Sequence, residues 1–321
     1  MRSPRRHRSS LLGCALAAVV LLAACGDDED DTAATPTTTE AVATTPAPTS
    51  EPATTPAAGG TFPVSIEHAL GTTVIDAEPA RVVTVGVTEQ DVELALGVVP
   101  VGVTDWYGDQ PYATCPWAQD ELGDAQPAVL SASDGFEYEQ IAALDPDLII
   151  GTNAGMDDTS YALLSEIAPT IAHPKDAAVY FSPWDDQARL IAQALGRTAQ
   201  MDSIIADIES QFADAAAAHP EFAGTQVVFL QNAFYEGNAI AYQDGLSTEF
   251  LTDLGFEVPS ELDAFATEGG QAYVPLEQLS VLDAADVLLW ATEDPDDRIA
   301  LESEPLYTGL EEVEDGRLVF T

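Results

Sequence analysis

Glu139-Gln140-Ile141-Ala142-Ala143-Leu144-Asp145, followed by Asp147-Leu148-Ile149-Ile150, recurs as Glu277-Gln278-Leu279-Ser280-Val281-Leu282-Asp283, followed by Asp286-Val287-Leu288-Leu289. Each copy spaces its apolar residues for one helical face and ends in a short unbroken apolar run, so each reads as a helix feeding a buried strand. A second pair of segments agrees. Glu93-Leu94-Ala95-Leu96-Gly97, with Pro100 beyond it, is echoed by Leu251-Thr252-Asp253-Leu254-Gly255, with Pro259 beyond it. The glycine and the proline mark a helix stop in both. The chain therefore contains two similar halves.

Working outward, short buried strands alternate with helices: strands at residues 81–86, 98–103 and 147–151, helices at 92–97, 138–144 and 161–167. Such alternation predicts a mostly parallel sheet covered by helices. A helical region spans Trp184 to His219 with one weak point at Gly196, and Met201, Ile204, Ile205, Ile208 and Phe212 fall on one of its faces. Further strands follow at 226–230, 286–290 and 317–320. The expected architecture is α/β: two Rossmann-like lobes joined by one long α-helix, with a ligand cleft between the lobes. The N-terminal lobe is placed at residues 61–183, the connecting helical region at 184–219 and the C-terminal lobe at 220–321.

The first 24 residues stand apart. Arg2, Arg5, Arg6 and Arg8 precede an apolar run from Leu11 to Leu22, which is short of the roughly 20 residues that a membrane-spanning helix needs. Leu22-Ala23-Ala24-Cys25-Gly26 has the form of a lipoprotein cleavage site. Residues 1–24 are read as a lipoprotein signal peptide and Cys25 as the lipidated N-terminus, on the extracytoplasmic face of the cell membrane. The Arg5-Arg6 pair leaves Sec and twin-arginine export both open. Residues 25–60, acidic and then rich in Thr and Pro, cannot bury enough apolar surface to order and read as a tether.

Charge excludes further classes. The chain carries 55 acidic and 10 basic residues, a net charge of −45. Four of the ten basic residues lie in the signal. So acidic a surface repels phosphate backbones, which rules against nucleic-acid partners. Of three cysteines, Cys14 leaves with the signal and Cys25 is lipidated. Cys115 then stands alone, so the mature chain has no internal disulfide.

Over residues 62–321, the order Pro79-Ala80-Arg81-Val82-Val83, Glu93 to Gly97, Glu139 to Ile150 and Pro275 to Leu289 resembles the iron-siderophore and cobalamin class of periplasmic binding proteins. The resemblance implies a two-lobed, monomeric protein that delivers a small-molecule iron chelate to an ABC permease. It also implies one exposed glutamate per lobe that pairs with the permease, at Glu139 and Glu277. Each sits near a helix start, where a carboxylate is electrostatically favoured. Relatives continue past their last strand with one or two helices, whereas this sequence stops at Thr321; the second lobe is minimal or the chain is cut short.

Ligand contacts are expected in loops after strands: Trp106, Tyr107, Asn153, Met156, Phe181 and Trp184 from the first half, and Phe234, Tyr235, Tyr242 and Trp290 from the second. Clustered aromatics suit a bulky, partly apolar chelate. Anionic catecholate or citrate complexes need several Arg or Lys, and only six remain, so a hydroxamate-type chelate fits better. Haem or cobalamin is the alternative cargo, with Tyr235, Tyr242 or His173 as an axial ligand. A free metal ion would want a cluster of His and carboxylates, and His68 and His219 are badly placed for one. No Gly-x-Ser-x-Gly, His-Glu-x-x-His or phosphate-loop motif occurs, so neither catalytic residues nor an intrinsic cofactor are expected.

Overall fold

The computed structural model describes residues 60–106, 110–180, 182–267, 270–292 and 295–321. The signal, Cys25 and the tether up to residue 59 lie outside these, as do Tyr107 and Phe181. The strands are β1 (Val64–His68), β2 (Gly71–Ile75), β3 (Val82–Thr84), β4 (Gly102–Thr104), β5 (Ala128–Leu130), β6 (Leu148–Ile150), β7 (Thr170–Ile171), β8 (Val227–Tyr235), β9 (Asn238–Tyr242), β10 (Gln271–Pro275), β11 (Val287–Ala291) and β12 (Leu318–Phe320). β1 and β2 form an antiparallel hairpin.

The first sheet has the order β5-β4-β3-β6-β7 with every pair parallel. The second has the order β10-β9-β8-β11-β12. Counted from its own first strand, each sheet reads 3-2-1-4-5, the order of doubly wound folds. They differ in direction. β8-β11 and β11-β12 are parallel, but β9 runs antiparallel to both β8 and β10. The cause is local: Glu236 (φ 48°) and Gly237 (φ 78°) are both left-handed between β8 and β9. A two-residue loop of that kind folds a strand straight back on itself, where a helical crossover would keep it parallel.

The repeated segments occupy equivalent places. Asp147 accepts the backbone N–H groups of Ala80 (2.9 Å) and Arg81 (2.9 Å) ahead of β3. Asp286 likewise accepts the N–H of Gln226 (2.9 Å) ahead of β8. In each lobe the repeat's aspartate thus pins the neighbouring parallel strand in register. The leucine-glycine ends also match. Gly97 (φ 74°) and Gly255 (φ 96°) are both left-handed, and Val98 N–H and Phe256 N–H return to the carbonyls of Glu93 and Leu251. This is the helix-ending geometry that glycine permits. The match is incomplete at one point: Glu139 begins within an α-helix (Tyr138–Ala143), whereas Glu277 lies in a 3-10 segment (Leu276–Ala284).

The connector is two helices, Trp184–Ala194 and Thr198–Ala218, broken at Gly196. Its apolar stripe serves both lobes. Ile191, Met201 and Ile205 join Ile66, Leu148 and Ile150 in the first core, while Ile208 and Phe212 face Phe250 of the second lobe across a shallow groove. Other boundaries moved. The strand expected at 98–103 shrinks to Gly102–Thr104, and the helix expected from Tyr161 starts at Asp158 because Asp157 and Ser160 form a reciprocal cap. Among the described residues no helix is long and apolar enough to cross a membrane.

Candidate ligand cleft

Three hollows lie along the carboxyl ends of the strands and the start of the connector. The first, about 390 Å³, is walled by Val85 beyond β3, Thr104 and Trp106 at the end of β4, Leu130 and Ser131 at β5, Phe136 and Glu137 before the next helix, and Ala154, Gly155 and Tyr180. This is where parallel α/β sheets bind ligands. The second, about 310 Å³, lies between the connector and the second lobe; Tyr180, Ser182 and Trp184 face Tyr242, Leu246, Glu249 and Gln271. The third, about 510 Å³, is formed by Gln231, Phe234, Tyr235, Tyr273 and neighbours in the second lobe.

Tyr180 belongs to both of the first two hollows. Its backbone is left-handed (φ 65°), and its side chain is 58 % exposed. The phenol lies over Gly155, where an added Cβ would overlap its hydroxyl. Opposite, Trp106 is 51 % exposed. Glu137 is held on the wall by the Ser131 N–H (2.8 Å) and the Gln140 side chain (2.6 Å). In the second lobe, Tyr242 donates its hydroxyl to Gln231 Oε1 and stacks on Phe229 (5.2 Å between centroids), while Gln271 approaches both Tyr242 and Tyr273 (3.4 Å each). A chain of phenols and amides therefore lines the second-lobe side.

The expected contacts divide. Trp106, Trp184, Phe234, Tyr235 and Tyr242 line one or another hollow. Phe234, Tyr235 and Tyr242 do so from β8 and β9 and not from loops, because those strands run further than their apolar pattern suggested. Asn153 is not part of these walls; its side-chain amide donates to Thr88 Oγ1 (3.1 Å). Two expectations are corrected. Met156 is 1 % exposed; it folds back over Gly151 into the core with Ile141 and Ile149. Trp290 is fully buried, because β11 is enclosed between β8 and β12 and its indole packs on Tyr307 (5.8 Å) and Phe234 (6.3 Å). Sequence reasoning missed Tyr180, Phe136, Glu137, Gln231 and Gln271. Tyr180 was legible only as the neighbour of Phe181, since nothing in its loop signals a left-handed turn.

The histidines lie elsewhere. His68 is buried; its Nε2 pairs with Thr73 Oγ1 (3.0 Å) and its Nδ1 accepts the Leu70 N–H (3.3 Å). Burial, with His173 nearby, holds its pKa below the ordinary value. His173 is buried where Ala69 donates to its carbonyl, so neither lines the hollows. Among the described residues no group of three or more His, Cys, Asp or Glu could hold a metal ion. Glu139 and Glu277 are both exposed, away from the hollows' walls.

Comparison with known proteins accords with this geometry. Residues 82–321 match the family model described as periplasmic binding protein. A probable siderophore-binding lipoprotein of Bacillus subtilis, YfiY, is 32 % identical over 202 residues, 61 % of this chain and 58 % of that protein's length. A periplasmic solute-binding protein of Mycobacterium smegmatis is 43 % identical with a TM-score of 0.76, over 80 % of this chain and 87 % of that one. PiaA of Streptococcus pneumoniae, solved with ferrichrome, is 27 % identical with a TM-score of 0.66, over 80 % and 87 %. With the duplicated doubly wound lobes and the helical connector, these matches establish that the chain belongs to the periplasmic binding protein family.

Proposed function

We propose that the protein captures a neutral or cationic ferric chelate of hydroxamate type outside the cell, held there by a lipid on Cys25, and passes it to an ABC permease that docks on Glu139 and Glu277. It carries out no catalysis and holds no resident cofactor. Residues 61–183 and 220–321 act as the two ligand-holding lobes on either side of the connector.

The charge of the lining carries the ligand class. Among the described residues the three hollows are walled by aromatics, amides and the acids Glu137, Glu249 and Asp297, and by no Lys or Arg. The basic residues are committed elsewhere. Arg81 donates to the Leu144 and Asp145 carbonyls, Lys175 pairs with Glu67, Arg189 with Asp185 and Asp202, Arg197 with Glu78, Arg298 with Glu302, and Arg317 with Glu312 and Asp315. An anionic catecholate or citrate complex would enter a negative field with no cation to meet it. A ferrioxamine or ferrichrome, whose hydroxamates leave the complex cationic or neutral, meets aromatic faces and amide dipoles.

Thermal unfolding with ferrioxamine, ferrichrome, ferric citrate, a ferric catecholate and haem tests this. A ligand at a hundred times its Kd stabilises by about 2.7 kcal/mol, which for lobes of this total size is roughly 5–10 °C in Tm. A shift with a hydroxamate chelate and none with citrate or catecholate is expected. The reverse order would refute the charge argument, and a shift with haem alone would replace the cargo.

A further inference from the structure

The crevice at the switch point of the first sheet, between the carboxyl ends of β3 and β6, is where doubly wound folds place an anionic ligand group against backbone N–H donors. Here the chain fills it itself. Glu89 is 2 % exposed. Its Oε1 accepts the N–H of Asn153 (2.7 Å), beyond β6, and its Oε2 accepts the N–H of Thr88 (3.1 Å), beyond β3. Gly86 leaves the space, since a Cβ there would overlap the carboxylate. The second lobe differs: the residue the same distance before its cap glycine is Ser247, and it opens onto the second hollow.

We infer that Glu89 is a positioning residue for ligand capture: one carboxylate clamps the two loops that wall the first-lobe hollow without touching the ligand. The loops in question carry Val87 on one side and Ala154 and Gly155, with Tyr180 above, on the other. Asn153 strengthens the same link through its side chain on Thr88 Oγ1. This inference rests on the capture reading above.

Stability alone does not account for a carboxylate in this place. Burial raises the Glu89 pKa despite the two amide donors, and the neighbouring Glu93, buried four residues further along the helix on Thr84 Oγ1 (2.8 and 2.9 Å), is raised well above the ordinary range. The folded chain thus bears an electrostatic penalty here that a neutral side chain would relieve. What a neutral side chain cannot do is accept both N–H groups. Gln offers one oxygen, and its NH₂ would face the other donor.

The test is Glu89→Gln in the full chain, read by three measurements: Tm without ligand, amide hydrogen exchange at Thr88 and Asn153, and affinity for ferrioxamine and ferrichrome. The inference predicts a Tm close to that of the wild type, the relieved burial penalty offsetting the lost acceptor, faster exchange at both amides, and an affinity at least about tenfold weaker because the two loops are no longer held at a fixed spacing. That split between stability and affinity distinguishes positioning from a merely structural role, which would lower both together. Affinity within twofold of wild type, a fall of Tm and affinity in parallel, or a variant that does not fold overturns it. If the wild type binds neither chelate, the capture reading fails, and unchanged exchange at the two amides then overturns the clamp as well.

Discussion

Replacing Glu139 and Glu277 together by Ala is expected to abolish chelate uptake by cells while leaving the affinity of the purified protein for its ligand unchanged. Both carboxylates are exposed, and each stands in the first turn of the same repeated segment in its own lobe. Neither lines a hollow, so ligand contacts survive their loss. A charge-assisted hydrogen bond is worth about 1.5–3 kcal/mol. Losing one per lobe weakens docking on the permease by roughly 10²–10⁴-fold, enough to stop delivery at ordinary protein levels. Radioactive iron uptake in cells producing the double variant measures it. Undiminished uptake sinks the docking role, and a parallel loss of ligand affinity would move both residues into the binding site. Because Glu277 begins a 3-10 segment and Glu139 an α-helix, the single variants are expected to be unequal.

Truncating Trp106 and Tyr180 together to Ala is expected to weaken ligand binding by roughly 10²–10³-fold, the ~3–4 kcal/mol that two desolvated aromatic anchors carry in recognition sites. Both side chains stand half exposed across the first hollow, so a ligand buries area that is now in water. Their removal leaves no void in the core, and Tm without ligand should stay within about 0.5 kcal/mol equivalent of wild type. The contrast is with Trp290→Ala, which empties a fully buried site and acts on stability first. Titrating each variant with the chelate that protects the wild type decides the matter. Affinity within threefold in the double variant would place the ligand in the third hollow, on Phe234 and Tyr235.

Much of the fold was legible because it is written twice. The helix-strand repeat at Glu139 and Glu277 marked two similar α/β lobes, and Asp147 and Asp286 show why the repeat ends as it does: each pins the adjacent strand. What escaped was decided by backbone dihedrals. Glu236-Gly237 carries no strong hairpin signal beyond its glycine, yet it reverses β9 and carries Tyr235 and Tyr242 into strands. At the site, residue type found the aromatic lining but not its sidedness. Trp290 and Trp106 both follow the apolar pattern of a strand. β11 has partners on both edges and is covered by Tyr307, whereas Trp106 lies two residues past the end of β4 in the open. Burial of Glu89 was unreadable, since an acidic residue early in a helix looks like an ordinary solvated one.

The central claim, that the aromatic hollows beside the connector hold a ferric hydroxamate, is tested most directly by tryptophan fluorescence of the purified protein titrated with ferrioxamine and with ferric citrate. Trp106 and Trp184 wall the first two hollows, Trp290 is sealed in the core, and Trp117 holds its indole N–H on Asp91 (2.8 Å) outside all three. The account predicts saturable quenching by ferrioxamine at micromolar concentration or below, largely lost in Trp106→Phe, with no saturable response to ferric citrate. Saturation by ferric citrate alone, or quenching by ferrioxamine that persists in full in Trp106→Phe and Trp184→Phe, would contradict it.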